Sequence, residues 1–470
     1  MNPPVLLRDV EVQGAAVDVR LHHGVVAAIG PGLRPSAADT VIHGGGGALL
    51  PGLHDHHLHL LACAAAAESV AAGPPEVEDR ASLGRVLHEA DGRLAPGAWL
   101  RAVGYHEAVA GDLDRHGLDA LSPPRPVRLQ HRSGARWTLN SLAIDRLALA
   151  EHAHPGIERD AAGGPTGRVH RADDLLAGLI EAGPPELAPL GARLATYGVI
   201  GVTDATPYRR RSELAALAEA VRTGALPQRV TVTGGIDLLG VDLPEGLGRG
   251  PVKVIIDDGA YPALVTLASD IALAHAAGRP VAIHCVTRPA AVLALAAWDE
   301  AGTHRGDRME HGSVLAPEQV AHLARHGITV VTQPGFIAER GDDYQREVDA
   351  DDQDHLYRCA SLLAAGVPVG GSTDAPYTHA DPWRAMRAAV DRRTRHAVAL
   401  GPAERISARA ALGLFLGASD YPGGAERTVG VGQPADLCLL RVPLATALAQ
   451  LTAENVAATV CAGQVVYEAS

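Results

Sequence analysis

Short apolar runs alternate with helix-period segments from residue 48 to residue 426. That alternation implies a parallel sheet, because each parallel return needs a crossover, usually a helix. Eight candidate strands are legible, at 48–59, 199–206, 229–235, 252–257, 280–284, 307–311, 328–333 and 367–374. Eight strand–helix units would close a TIM barrel, so the expected fold class is α/β with a (β/α)8 barrel. The gap after the first strand far exceeds a βα loop. Residues 62–190 are therefore expected to form an inserted, substrate-capping α+β subdomain, with helices at 83–95 and 140–151, a strand at 126–130 and a Gly/Pro-rich turn at 163–167. Both ends of the chain have strand texture broken by turn residues. Residues 1–47 and 427–470 are expected to share one β-sandwich domain, which leaves 48–61 and 191–426 to the barrel.

Composition narrows the partners. With 47% hydrophobic and 20% charged residues the chain can bury a core. Its net charge of −13 argues against nucleic acid and anionic membrane, and leaves a small molecule as the expected substrate. No apolar run reaches the ~18 residues of a membrane helix. The start, Met1-Asn2-Pro3-Pro4, has neither the basic nor the apolar region of a signal peptide. The 5 cysteines are scattered without CxxC spacing, so a reducing cytoplasm is the expected location.

The chain holds 23 histidines and a single lysine, Lys253. Every other basic side chain is arginine. A buried lysine can lose its proton and act as a neutral amine, which guanidinium cannot. The first strand ends Leu53-His54-Asp55-His56-His57-Leu58-His59. Side chains alternate along a strand, so Asp55, His57 and His59 are expected on one face, with His54 and His56 at the surface or behind the ligands. Lys253 lies on the fourth strand, His284 and His311 end the fifth and sixth, and Asp374 ends the eighth. Barrel enzymes place their chemistry at these C-terminal strand ends.

Six nitrogen and oxygen donors suit two divalent ions such as Zn²⁺ better than one. A neutral Lys253 amine could add CO₂, and the resulting carbamate would bridge the ions. The ions would share a hydroxide formed at neutral pH. Asp374 would take its proton and deliver it to the leaving group. Taken singly, each residue has a plainer role: core histidines, a buried-stem lysine, or an aspartate capping the next helix.

These residues resemble the amidohydrolase superfamily, in the branch of N-substituted formamide deformylases and YtcJ-like proteins. Pro51-Gly52-Leu53-His54-Asp55-His56-His57-Leu58-His59-Leu60 is similar to that branch's PGxxDxHxHL. Gly250–Gly259 carries its VKxxxDG lysine, Val281-Ala282-Ile283-His284 and Arg308-Met309-Glu310-His311 its later histidines, and Gly371-Ser372-Thr373-Asp374-Ala375-Pro376 its terminal aspartate. Residues 429–440, VGVGQPADLCLL, are similar to its return into the β-domain. The resemblance covers nearly the whole chain. It implies that His57, His59 and Asp374 bind one ion and His284 and His311 the other, bridged by carboxylated Lys253. A homodimer is the ordinary state of the class.

Two departures stand out. Where the branch reads HAIGDRA, this chain has His284-Cys285-Val286-Thr287-Arg288-Pro289-Ala290, with an arginine in place of an acid. Where the branch has DGHxxWxNS, this chain has Ser133-Gly134-Ala135-Arg136-Trp137-Thr138-Leu139-Asn140-Ser141, without the histidine. Tyr105, His106, Arg132, Arg288 and Gln333 are the expected substrate contacts, the two arginines as partners for a substrate carboxylate. Trp137, Phe336, Tyr344 and Tyr377 are candidate apolar walls. The leading expectation is metal-dependent hydrolysis of a C–N bond in a small amide, formamide, lactam or imide. The alternatives are a binuclear esterase or phosphoesterase, a mononuclear deaminase, for which Thr287 replaces the required glutamate, and a non-catalytic scaffold.

Overall fold

The computed structural model describes residues 3–180, 183–207 and 210–469. Met1 and Asn2, half of the leader segment read above, lie outside the described residues. So do Glu181, Ala182, Tyr208, Arg209 and Ser470, which fall within the expected domain spans. The chain divides into two compact units, Met1–Leu60 with Leu187–Ser470, and Leu61–Glu186.

The first unit is a mixed α/β fold built on two parallel sheets. One sheet runs Leu53–Leu58, Val199–Asp204, Arg229–Val232 and Leu247–Arg249. The other runs Val252–Ile255, Val281–Cys285, Arg308–His311, Thr329–Thr332 and Val369–Gly371. Backbone hydrogen bonds tie the two sheets at both edges. Lys253 N donates to Gly234 O at 2.8 Å, and Asp374 N donates to His57 O at 2.8 Å. Five of the strands, Leu53–Leu58, Val199–Asp204, Arg308–His311, Thr329–Thr332 and Val369–Gly371, are buried at every position. Strands covered on both faces lose the polar alternation and read as continuous apolar runs. All eight expected strands are present with shifted ends: the first, 48–59, is divided between Thr40–Pro51 and Leu53–Leu58, the fifth runs on to Cys285, and the others are shorter. Leu247–Arg249 was not expected, since three residues carry no periodicity.

The helices between the strands start and stop where side chains dictate. Arg288–Ala301 begins at Thr287, whose Oγ1 accepts from Ala290 N, and ends at Gly302, whose φ of 81° closes it. Its buried residues are Ala290, Ala291, Ala294, Leu295, Ala297 and Trp298. Among the described residues no helix is long and apolar enough to cross a membrane.

Both termini join one seven-stranded sheet. The reason is the long strand Thr40–Pro51. It pairs in parallel with Val5–Val12 over most of its length and antiparallel with Leu437–Leu440 at its end. Leu7, Val19, Leu21, Leu437, Leu439 and Val460 pack into the enclosed core.

The second unit holds a six-stranded sheet with helices. Its first long helix is Arg80–Asp91, three residues earlier than expected. Asp79 and Ser82 form a reciprocal capping box there, so polar residues start the helix before its apolar stripe begins. The expected strand at 126–130 is Val127–His131, and the helix at 140–151 is Ser141–Arg146 followed by a single 3₁₀ turn, Leu149–Glu151.

Candidate metal centre

His57, His311 and Asp374 bring one potential ligand atom each to within 4.8 Å of one another, and all three residues are buried. His59 Nε2 lies 3.3 Å from Asp374 Oδ1, and the His284 ring centroid lies 4.5 Å from that of His311. Lys253 pairs with Ala282 in the sheet, two residues before His284, and is 5% exposed. Burial drives its amine down to about 8, against the opposing pull of Glu310. Asp374 is held the other way: burial raises its pKa, but His57, His59 and His311 more than offset that and keep it well below the usual carboxylate range.

Three of these buried polar atoms, Lys253 Nζ, His311 Nε2 and Asp374 Oδ1, have no hydrogen-bond partner among the described residues. Leaving one such atom unsatisfied costs roughly 1–3 kcal/mol. Orphans of both signs at one place fit a cation-binding donor set. His311 and Asp374 also take φ values of 68° and 56°, a backbone region rare outside glycine and concentrated at functional sites.

The surrounding residues fix which nitrogen each imidazole presents. Gln333 donates through Nε2 to Ser372 Oγ at 3.0 Å and to Val331 O, so its Oε1 accepts from His311 Nδ1 at 2.8 Å. That leaves His311 Nε2 bare. Thr206 Oγ1 donates to Asp204 at 2.7 Å and therefore accepts from His59 Nδ1 at 3.1 Å, which frees His59 Nε2. His57 Nδ1 donates to one Glu310 carboxylate oxygen, and the opposite oxygen pairs with Arg308 Nε at 2.5 Å. Metal-ligating histidines are oriented in this way. Burial keeps His57 and His311 neutral, as a ligand must be.

Several expectations need correction. Asp55, expected only on the face of His57 and His59, accepts from His57 N, Thr373 N and Thr373 Oγ1, and so anchors the segment that presents Asp374. Burial, opposed by those bonds, raises its carboxyl to about 7. His54 and His56 are not at the surface, being 4% and 0% exposed, because a strand between two neighbours has no solvent face. His54 Nε2 meets Thr203 Oγ1 at 3.0 Å. Arg288 is ion-paired to Asp352 and 3.0 Å from His355, so its guanidinium has a protein partner. Gln333 supports His311. Tyr105, His106 and Arg132 belong to the second unit. There the Tyr105 hydroxyl donates to Gly111 O, His106 caps a short helix, and Arg132 N donates to Tyr105 O at 2.8 Å. Phe336 and Trp137 are core residues, Tyr344 packs against the core, and the Tyr377 ring stands edge-on to His59 at 5.5 Å.

Glu310, Arg308, Thr206 and Asp204 were not read from the sequence. The available signal was a charged pair two positions apart, Arg308 and Glu310, inside an expected strand.

Histidines, a carboxylate and a buried amine meet at the strand ends of a mixed α/β fold, a donor set suited to a divalent metal. Residues 40–467 match the model of the amidohydrolase family, and the chain belongs to that family. It is a hydrolase of carbon–nitrogen bonds. It is 27% identical to an N-substituted formamide deformylase of Arthrobacter pascens, over 90% of this chain and 89% of that one. It is 26% identical to the Bacillus subtilis protein YtcJ, over 90% of each. Among solved structures, an uncharacterized metal-dependent hydrolase from Pyrococcus horikoshii superposes with a TM-score of 0.69 at 19% identity, covering 88% of this chain and 91% of that one.

Proposed function

We propose that this chain hydrolyses the C–N bond of a small amide, formamide, lactam or imide. The carrying observation is the convergence of three unpartnered buried donors, Lys253 Nζ, His311 Nε2 and Asp374 Oδ1, beside imidazoles with fixed tautomers. The formamide deformylase of Arthrobacter pascens supports an amide-type substrate. Eight of the nine parallel strands, without the short Leu247–Arg249, are read as a closed (β/α)8 barrel, supported by the hydrogen bonds between the two sheets.

His57, His59 and Asp374 would hold one ion and His284 and His311 a second, with Zn²⁺ as the expected metal. Lys253, in its neutral form, could add CO₂ at Nζ with loss of one proton, and the carbamate would supply an anionic ligand to the metal. Bound divalent metal supplies Lewis acidity and lowers the pKa of water. Asp374 accepts a proton from the attacking water and passes it to the departing nitrogen. Gln333, Thr206 and Glu310 keep each imidazole aimed, and Asp55 keeps Thr373 and hence Asp374 in place. Thr287 speaks against the deaminase reading. It caps a helix and donates to Asp258 at 2.6 Å, so the position offers no carboxylate.

The test is turnover of a panel of formamides, amides, lactams, esters and phosphotriesters by metal-loaded protein, beside Asp374→Asn. The expected result is hydrolysis of a C–N substrate that falls by a factor of ~10² to 10⁴ in the variant. Turnover of esters or phosphotriesters alone would move the protein to the alternative class. Equal turnover by Asp374→Asn would remove Asp374 from the chemistry.

A further inference from the structure

We propose that Asp299, His322 and His326 form a second transition-metal site, on the outer helices of the first unit and independent of the strand-end centre. Helix Pro317–His326 places His322 and His326 four residues apart, hence on one face. Their rings stack with centroids 4.6 Å apart and an interplanar angle of 24°. Asp299, in the last turn of helix Arg288–Ala301, points Oδ1 at both. The distance is 2.9 Å to His322 Nε2 and 3.7 Å to His326 Nε2.

Those distances match a chelate. Tetrahedral ligands at bond lengths of ~2.0–2.1 Å stand about 3.3 Å from one another. The two Asp–His separations straddle that value, and all three donor atoms lie within 4.8 Å. An ordinary His–Asp hydrogen bond would explain His322. It does not explain why the second ring turns to the same oxygen.

The protonation logic is also favourable. Among the described residues neither ring's Nδ1 has a hydrogen-bond partner, so each Nε2 can give up its proton while Nδ1 keeps one facing water. A comparable trio in the second unit, His106, Glu107 and His131, lacks this freedom. There His106 Nδ1 accepts from Ala108 N at 3.3 Å and His131 Nδ1 from Ser133 N at 3.2 Å. Their protons stay on the Nε2 atoms that face Glu107, and Arg136 already pairs with Glu107. That trio is a hydrogen-bonded clamp.

Two helix C-termini meet at the proposed site, since Asp299 is in the last turn of one helix and His326 ends the other. The negative pole of a helix dipole favours a cation there. Two imidazoles and a carboxylate suit Zn²⁺, Co²⁺, Ni²⁺ or Cu²⁺, whereas Mg²⁺ and Ca²⁺ prefer oxygen. The side chains are 17%, 36% and 50% exposed for His322, His326 and Asp299, which leaves room for water to complete the coordination. A metal bound here would staple neighbouring helices and stabilise the fold in proportion to its occupancy.

The experiment compares tag-free wild type with His322→Ala/His326→Ala and with Asp299→Asn. Metal-stripped protein is dialysed against saturating buffered Zn²⁺, metal per chain is measured, and melting is followed with and without Zn²⁺. All three proteins share the strand-end centre, so the difference reads this site alone, whatever that centre does. The expected result is one ion fewer per chain in the double variant and a smaller Zn²⁺-induced rise in Tm. Identical uptake and identical Tm rises would overturn the proposal. Should the double variant fold poorly, Asp299→Asn decides: weaker Co²⁺ binding in its visible spectrum supports the site, and unchanged binding overturns it.

Discussion

His57 and Glu310 share a buried hydrogen bond although 253 positions separate them in sequence. Strands Leu53–Leu58 and Arg308–His311 lie in different sheets, so this contact joins the two sheets beneath the centre. It does two things at once. It fixes the proton on His57 Nδ1, and it gives Arg308, 1% exposed, its buried counter-charge.

Glu310→Gln is therefore expected to weaken metal binding by ~10- to 100-fold, the usual effect of losing a carboxylate behind a ligating histidine. It should also lower Tm, because Arg308 is left charged and unpaired. Competition with a chromogenic chelator measures the first effect and a thermal melt the second. Wild-type metal affinity in a folded variant would contradict the positioning role.

Thr373→Val removes the hydroxyl that donates to Asp55 at 2.5 Å. A charge-assisted bond of this kind is worth ~1.5–3 kcal/mol. The loss should fall on kcat more than on KM, because Asp374 is displaced while the pocket persists. A variant that loses stability but keeps its kcat would make this bond purely structural.

Gly371 admits no side chain. A Cβ there would come within 2.7 Å of the Phe415 ring and 2.8 Å of Leu414 Cβ. Gly371→Ala must push back the strand end that carries Asp374. Overpacking of this kind costs ~1–3 kcal/mol. The prediction is a lower denaturation midpoint with reduced turnover, and an unchanged midpoint would contradict the packing.

Stability of the metal-free protein should fall as pH drops below about 6.5. Burial first, then Arg427 and Arg308, hold His54 well below its ordinary pKa, and burial first does the same for His56. The unfolded chain binds these protons and the folded chain does not, so stability is intact above the unfolded pKa and is lost progressively on acidification. Melting of chelator-treated protein from pH 8 to pH 5 reads this directly. A Tm that stays flat to pH 5 would contradict it.

The parts of the fold legible in sequence are those set by periodicity. Buried strands such as Val199–Asp204 and Thr329–Thr332 announced themselves by their β-branched runs, and Lys253 stood out because arginine fills every other Lys/Arg position. What escaped depends on side-chain direction and partner. Gln333 sits at a strand end, where a substrate contact is plausible. Only the register with Val369–Gly371 shows that it turns to Ser372 and His311. Arg288 was legible as a charge near the site, but Asp352, which neutralises it, arrives from 64 residues away. Asp55 follows the alternation of its strand, but the alternation does not show that Thr373, 318 residues away, reaches it.

The central claim is a metal centre that requires Lys253. The most direct measurement is metal per chain by ICP-MS, on protein prepared without chelators and with bicarbonate, beside Lys253→Ala. The account predicts about two ions per wild-type chain at the strand-end centre, with a clear fall in the variant. Tag-free His322→Ala/His326→Ala protein serves as the background, so that the outer site does not contribute. About one ion, unchanged by Lys253→Ala, would contradict the bridged centre.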